Sequence, residues 1–352
     1  MKRTNHLKIP LLVIESVRFF TFFFIIILFC FTTTCKARNP FDELIKIEKS
    51  SKRGRLWASN TFKYKTKSQR KSQYFKQIKE RKVILKTSDG LERYGILTLV
   101  PNAKGNVVIC HPAAKNKEYM IPYQEKLFAQ YNCLRFDFRR HGENHENQYS
   151  TLGRDEVHEV TTAVKLFREH KKTRLLPTYG FGISMGAVTL ILAESQKHML
   201  DGIIVQSPFE KLRNQITRMY GFFRLPLMHN FIYRMPAKFI SKKMYRLKMR
   251  KIRPYIAIRT IKTPIFFIHA QNDRFVPFES YKTFIKNDWN GCIKKTWTPE
   301  DGRHTAIIKI MPKLYAKKCS EFLETIDPRK KNKPRKTLRA YNNFFKKYFS
   351  FI

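Results

Sequence analysis

A short apolar run followed by a glycine-flanked serine constrains this chain more than any other stretch. Residues 176–187 are Leu-Pro-Thr-Tyr-Gly-Phe-Gly-Ile-Ser-Met-Gly-Ala, and residues 188–193 continue them as an apolar helical segment. A serine on a sharp strand-to-helix turn needs close neighbours without Cβ atoms, and Gly182 and Gly186 flank Ser184 at the required spacing. The helix behind the turn favours negative charge at its amino end. The stretch therefore predicts a nucleophile turn, which requires a base, an acid and an oxyanion hole elsewhere.

Strand-like and helix-like segments alternate around this turn between residues 83 and 326. The predicted strands are residues 83–85, 91–100, 106–110, 133–138, the short apolar strand that begins at residue 176, and residues 202–206, 264–269 and 293–298. Besides the helix after the serine, the predicted helices are residues 118–130, 154–170 and 305–324. This alternation predicts an α/β fold with a mostly parallel eight-stranded sheet covered by helices on both faces. In such sheets the chemistry gathers in loops at the carboxyl ends of strands.

Two of those loops supply polar groups that complement the serine. Asp273 follows one predicted strand and His304 follows the last, so the chain order is nucleophile, acid, histidine. His304 would take the Ser184 proton and later protonate the leaving group, while Asp273 would hold the imidazole tautomer. Two other carboxylates compete for the acidic role. We interpret Asp301 as support for the histidine loop and Asp137 as a structural group at the end of a strand.

Several stretches of the chain resemble the α/β-hydrolases of the serine esterase, lysophospholipase and serine-aminopeptidase type. These stretches are residues 136–142, 182–187, 261–269 with 272–277, and 302–304. The resemblance spans residues 83–326 and implies an α/β-hydrolase fold with Ser184, Asp273 and His304 as the catalytic triad.

The same resemblance implies an oxyanion hole built from two backbone N–H groups. One belongs to Met185, directly after the nucleophile, and the other lies in the loop after the third strand. That loop begins His111-Pro112, where relatives usually have His-Gly. Because proline has no N–H to donate, Ala113 is the candidate for the second donor.

Positive charge dominates the composition. The 352 residues include 70 Lys+Arg against 27 Asp+Glu, which gives a formal net charge of +43. Such an imbalance indicates attraction to an anionic membrane surface or to nucleic acid, unless it reflects a compositional bias of the genome. The chain shows no nucleic-acid-binding module, so the membrane is the favoured partner.

The N-terminal residues 1–36 combine a positively charged start with an uncharged apolar run at residues 19–35. The run is about as short as a spanning helix can be. A cleaved signal peptide and an uncleaved membrane anchor are equal alternatives, and both predict a protein that is exported or membrane-associated. Residues 37–82 are polar and basic and form a predicted linker, with contact to anionic lipid as an alternative.

Two further basic segments flank or interrupt the predicted hydrolase domain. Residues 211–259 contain fourteen Lys/Arg and no Asp or Glu, interleaved with apolar and aromatic residues. They predict a cap insertion that shapes a pocket for an apolar chain with an anionic head, or else a helical cap with a solvated basic face. Residues 327–352 predict a basic amphipathic tail, which would lie in a membrane interface or dock on the protein's own core.

The remaining motifs suggest neither a metal nor a cofactor. The six cysteines show no disulfide framework or zinc spacing. His141 and His145 lie near Glu143 and Glu146, but in a loop rather than on one helix face, so we predict no metal site. The predicted function is a serine hydrolase of esters or thioesters, with lipid or acyl small molecules as substrates. A peptidase or amidase on the same scaffold and a non-catalytic binder of membrane or nucleic acid are the alternatives.

Overall fold

A single eight-stranded sheet organises the described part of the chain, which in this computed structural model comprises residues 78–144, 150–222 and 249–330. The strands are β1 (Lys79–Lys86), β2 (Glu92–Leu99), β3 (Asn106–Cys110), β4 (Asn132–Phe136), β5 (Thr178–Ile183), β6 (Gly202–Gln206), β7 (Ile265–Ile268) and β8 (Ile293–Trp297). Their order across the sheet is β1-β2-β4-β3-β5-β6-β7-β8. The pairs β1–β2 and β2–β4 are antiparallel, and the other five pairs are parallel. The predicted mostly parallel eight-stranded sheet is therefore confirmed.

Helices connect the parallel strands. They are α1 (Ile121–Leu127), α2 (Val157–Glu169), α3 (Met185–Lys197), α4 (Leu212–Phe222), α5 (Pro254–Ala257), α6 (Phe278–Asn287), α7 (Ile307–Ile310) and α8 (Pro312–Ile326), with 3-10 turns at Lys117–Met120, Met249–Lys251 and Ile258–Thr260. The prediction of one helix over residues 305–324 is wrong, because α7 and α8 are separate. Met311 adopts φ −128° and ψ 51° between them. The following Pro312 disfavours helical backbone at that residue.

The helices cover both faces of the sheet. On one face α1 and α8 bury a cluster of aromatic rings against the central strand β5. Phe181 lies there between Tyr123 and Tyr315, with ring centroids 5.5 and 6.5 Å away. On the other face α3 lies so close to β5 that a Cβ at Gly180 would be 2.8 Å from the Leu190 side chain. This two-sided burial explains why the inner strands are continuously apolar.

Several predicted segments lie outside the described residues. They are residues 1–36, the linker up to residue 77, residues 145–149 with His145 and Glu146, the cap residues 223–248, and the tail residues 331–352. Among the helices that the structure does describe, none combines the length and the apolar character needed to cross a membrane.

Candidate active site

Ser184 occupies a strained turn between β5 and α3. Its backbone adopts φ 53° and ψ −115°, which a residue with a side chain rarely does. A Cβ at Gly182 would lie 2.6 Å from the carbonyl group of Gly186, closer than real Cβ contacts allow. The two glycines are thus required by the turn, as the sequence pattern predicts.

The first turn of α3 also lies against the end of β3. A Cβ at Gly186 would be 2.3 Å from the Cys110 carbonyl oxygen and 2.8 Å from that of His111. This close approach brings the residue after the nucleophile, Met185, to the loop that begins at His111. Ala113, the other predicted oxyanion donor, lies two residues further along that loop and is half-buried.

His111 braces this loop as a neutral side chain. The Phe138 N–H donates to its Nε2 (3.0 Å), so Nδ1 carries the proton and donates to the Pro112 carbonyl (2.8 Å). Burial holds the pKa of His111 well below its ordinary value. The ring therefore fixes the Pro112 carbonyl and directs the backbone that leads to Ala113.

Asp137 braces the far end of the same loop. Its Oδ1 accepts the Lys117 N–H (2.7 Å), and its Oδ2 accepts the Lys117 ammonium (2.6 Å) and the Glu143 N–H (3.0 Å). Asp137 and Lys117 are both buried. These contacts agree with the interpretation of Asp137 as a structural carboxylate. The sequence analysis did not identify Lys117, because nothing in the pattern marks a lysine as buried.

Asp273 has both carboxylate oxygens engaged. Oδ1 accepts the N–H groups of Phe275 and Val276, each at 2.9 Å, and Oδ2 accepts from His304 Nδ1 at 2.8 Å. Burial acts to raise the pKa of Asp273, but His304 and the backbone donors outweigh burial and hold that pKa below its ordinary value. Asp273 is therefore a buried carboxylate that remains ionised and orients the His304 imidazole.

His269 lies on the other side of the same carboxylate. Its Nε2 is 3.8 Å from Asp273 Oδ2 and 2.9 Å from the Val276 carbonyl oxygen, to which it donates. Burial lowers the pKa of His269, so this second histidine is neutral. Its hydrogen bond closes the loop that carries Asp273 onto the end of β7.

Gln206, at the end of β6, joins the nucleophile turn to the histidine loop. Its carbonyl accepts the Ser184 N–H (2.8 Å), and its side-chain amide donates to the His304 carbonyl (3.1 Å). The amide oxygen accepts the Tyr315 hydroxyl at 2.7 Å, and Gln206 is fully buried. The structure thus links Ser184, Asp273 and His304 at one edge of the sheet. The sequence analysis did not identify Gln206. The available indication was that a polar residue ends an otherwise apolar predicted strand.

Two other residues of the sequence analysis have ordinary contacts. Asp301 accepts a hydrogen bond from Asn272 (3.3 Å), whose own side-chain oxygen accepts the Arg303 N–H (2.9 Å). Asp301 therefore supports the histidine loop, as interpreted from the sequence. His141 Nδ1 contacts the Arg139 carbonyl oxygen at 2.8 Å. Within the described ranges, no three His, Cys, Asp or Glu side chains converge as metal ligands would.

The start of the predicted cap is fastened to the hydrolase core by Glu210. This buried carboxylate accepts hydrogen bonds from Ser280 (2.6 Å), Asn214 (2.9 Å) and Arg218 (3.2 Å). Burial acts to raise the pKa of Glu210, but these donors outweigh it and keep the pKa below its ordinary value. These contacts join α4 to α6. They therefore fix the position of the segment with which the predicted cap begins.

Similar sequences occur among known proteins. Residues 101–259 match the family described as "Serine aminopeptidase, S33". An uncharacterised protein of Bacillus subtilis (strain 168), YqkD, is 25% identical over 261 residues, which are 72% of this chain and 82% of that protein.

Solved structures agree with the family match. The esterase Pf2001 of Pyrococcus furiosus superposes with a TM-score of 0.59 at 24% identity, over 70% of this chain and 91% of that chain. The acylaminoacyl peptidase of Pyrococcus horikoshii superposes with a TM-score of 0.52 at 15% identity, over 70% of this chain and 41% of that chain. With the sheet order and the turn at Ser184, these likenesses show that the described part of the chain has the α/β-hydrolase fold.

Proposed function

We propose that the protein is a serine hydrolase that cleaves carboxylic esters or thioesters of acyl or lipid substrates. The observation that carries the proposal is the hydrogen bond from His304 Nδ1 to the buried Asp273, at the sheet edge that also holds the strained Ser184. With the proton on Nδ1, the His304 Nε2 is an acceptor for the Ser184 hydroxyl proton.

The reaction proceeds in two stages. Ser184 Oγ attacks the acyl carbon as His304 takes its proton, and the N–H groups of Met185 and Ala113 stabilise the resulting oxyanion. His304 then protonates the leaving alcohol or thiol, which departs and leaves an acyl-enzyme. Water, activated by His304, hydrolyses the acyl-enzyme and restores Ser184. Throughout, Asp273 stabilises the imidazolium that forms at His304.

A peptidase acting on the free amino end of a substrate is the second candidate, because the matched family carries that description. Such an enzyme needs a carboxylate to bind the substrate ammonium. Glu210 is the buried carboxylate nearest the cap in the described chain, and Arg218, Ser280 and Asn214 already occupy its oxygens. The cap sequence is rich in cations and has no acid. This charge distribution favours neutral or anionic acyl substrates over cationic amines.

Labelling with a fluorophosphonate probe tests the serine chemistry directly. We expect the wild-type protein to be labelled, and the variants Ser184→Ala and His304→Ala to remain unlabelled while folded. The hydrolase hypothesis fails if the folded wild-type protein neither reacts with the probe nor hydrolyses any short ester. That result would favour a non-catalytic protein that binds membrane or nucleic acid. Comparing p-nitrophenyl esters with aminoacyl p-nitroanilides then separates the two enzymatic candidates.

We also propose that the protein works outside the cytosol or at a membrane, on the evidence of the apolar run at residues 19–35. Cell fractionation of the full chain, with N-terminal sequencing of the product, tests this. Full-length protein in the soluble cytosolic fraction would contradict it.

A further inference from the structure

An exposed surface beside His304 combines large apolar side chains with cations. We call it the rim surface; its members are Arg274, Phe275, Arg303, Lys309, Ile310, Lys313 and Leu314. Phe275 is 39% exposed, Ile310 54% and Leu314 43%. The four cations are exposed as well. Exposed apolar side chains rimmed by polar residues are typical of surfaces that bind a partner.

Hydrogen bonds and ring contacts show that the two loops of the rim surface are adjacent. The Phe275 ring lies 4.8 Å from the His304 ring, and the Arg303 N–H donates to Asn272 Oδ1 at 2.9 Å. Two backbone hydrogen bonds connect the histidine loop to α7. The Ala306 N–H donates to the Gly302 carbonyl (2.8 Å), and the Ile310 N–H donates to the Ala306 carbonyl (3.1 Å). The rim surface therefore borders the catalytic edge of the sheet.

Cations outnumber acids in this part of the chain. Residues 303–318 contain five Lys/Arg and no Asp or Glu. The ion pairs of the described residues do not involve Arg274, Arg303, Lys309 or Lys313. Glu300 and Asp301 are the exposed acids nearest in sequence, and Asp301 binds Asn272. A partner that fits the surface must therefore be anionic.

We propose that the rim surface docks on an anionic lipid bilayer, with Ile310 and Leu314 inserted at the headgroup boundary. Cations attract the surface to acidic headgroups, and aliphatic side chains gain free energy by leaving water for the acyl region. Nucleic acid would satisfy the cations but not the aliphatic side chains. The inference rests on the proposed function and deepens it, because docking in this orientation presents the Ser184 site to lipid esters.

Vesicle binding by the full chain tests the assignment. Vesicles of phosphatidylcholine are compared with vesicles of phosphatidylcholine mixed with phosphatidylglycerol, using Lys309→Glu/Lys313→Glu and Ile310→Ser/Leu314→Ser. The matched control is Lys171→Glu/Lys172→Glu/Leu175→Ser, at the amino ends of the strands, where Leu175 is 75% exposed. All of these side chains are exposed, and a cooperative thermal unfolding transition verifies that each variant is folded.

We expect Lys309→Glu/Lys313→Glu to bind the anionic vesicles at least about ten-fold more weakly than wild type. Ile310→Ser/Leu314→Ser should hydrolyse vesicle-embedded esters more slowly and soluble short esters at the wild-type rate. The control should behave as wild type in both assays. Rim variants that bind as tightly as wild type, or a control that loses as much binding, would overturn the assignment.

Two further measurements distinguish this proposal from its alternatives. If duplex DNA binds more tightly than the anionic vesicles and loses affinity through the same charge reversals, nucleic acid is the partner and the bilayer assignment fails. Vesicle binding is measured without turnover. Failure of the proposed hydrolase would therefore appear as absent labelling of Ser184 with vesicle binding intact.

Discussion

Asp273 accepts hydrogen bonds on both oxygens, and this fixes what an amide can do in its place. In Asp273→Asn the amide oxygen can still accept from Phe275 and Val276, which leaves the NH2 group facing His304 Nδ1. That donor forces the proton of His304 onto Nε2, where the imidazole cannot accept from Ser184. We expect kcat to fall by about 10³-fold or more while the fold persists. Steady-state kinetics on a short ester measures this, and near wild-type kcat would remove Asp273 from the triad.

The lowered pKa of Asp273 also predicts a pH dependence of stability. Because the ordinary carboxyl pKa is 3.8 and the folded-state pKa is lower, the unfolded chain binds this proton more readily. The carboxylate therefore contributes stability fully above the ordinary value and loses it as the pH falls through the folded pKa. Urea unfolding between about pH 6 and about pH 3 should show the stability difference between wild type and Asp273→Asn shrinking with acidification. A difference independent of pH would contradict the shift.

Gln206 holds the backbone of the histidine loop, because its side-chain amide donates to the His304 carbonyl. In Gln206→Leu the His304 carbonyl loses its donor, so the loop that presents the imidazole is held less well. We expect kcat to fall about ten-fold with little change in KM. Tyr315→Phe is the matched control, because it removes only the other hydrogen bond of the Gln206 amide. Equal losses in both variants would indicate a packing role instead.

At this scale the sequence identifies candidate reacting groups but not the residues that support them. The sequence pattern alone identifies three candidates, because each follows the end of a predicted strand and their chain order is nucleophile, acid, histidine. They are Ser184, Asp273 and His304. Gln206 and Lys117 act through hydrogen bonds to residues 98 and 20 positions away in the chain. No local pattern encodes such contacts, because they depend on which strands become neighbours.

The turn between β5 and α3 leaves no room for a side chain at Gly186. In Gly186→Ala the new methyl would meet the backbone of Cys110 and His111 rather than a flexible side chain. We expect a loss of about 2–4 kcal/mol in the free energy of unfolding and loss of fluorophosphonate labelling, because the loop with Ala113 must shift. Chemical denaturation and labelling measure both effects.

Gly90→Ala provides the control for that substitution. Gly90 has φ 82° in the turn between β1 and β2, and a Cβ there would have no atom within 4 Å. Its cost is therefore confined to backbone conformation, about 1 kcal/mol, and labelling should persist. If Gly186→Ala behaved like Gly90→Ala, the close approach of α3 to β3 would not control the site.

Many of the elements follow from hydrophobic patterning, but α6 was not predicted and the predicted helix over residues 305–324 is broken. The observed bounds of β3 and β6 are those predicted. Each strand is a compact apolar run with polar or turn residues at both ends, and those residues mark where the strand begins and ends. The break at Met311 was missed, since residues 305–324 keep an apolar stripe across it. There the covalent constraint of Pro312 outweighs the periodicity.

For the whole molecule, alternation of strands and helices predicts the fold class but not the strand order. The hairpin β1–β2 is local, whereas β2 also pairs antiparallel with β4 across an intervening strand of the sequence. The side-chain patterns of β2 and β4 do not specify this pairing, because an apolar strand can pair with any other strand that buries the same face. The order emerges only when the packing of helices on both faces is satisfied together.

The net charge of +43 leads to a last prediction, about ionic strength. Raising salt from about 0.05 M to about 0.5 M shortens the Debye length about three-fold, so binding of the full chain to anionic vesicles should weaken strongly. Hydrolysis of a neutral soluble ester should change less than about two-fold, because the Ser184 chemistry depends on short hydrogen bonds that salt screens little. Vesicle sedimentation and ester kinetics over the same salt series provide both readouts.

The slope of that salt series also separates a docking surface from a mere excess of charge. If the cations act diffusely, reversal of any two exposed lysines should reduce the slope equally, and Lys171→Glu/Lys172→Glu should match Lys309→Glu/Lys313→Glu. If the rim surface carries the contact, only the second pair should flatten the dependence, because only those charges lie within a Debye length of the bilayer. Vesicle binding that does not respond to salt at all would show that the excess charge serves no membrane attraction.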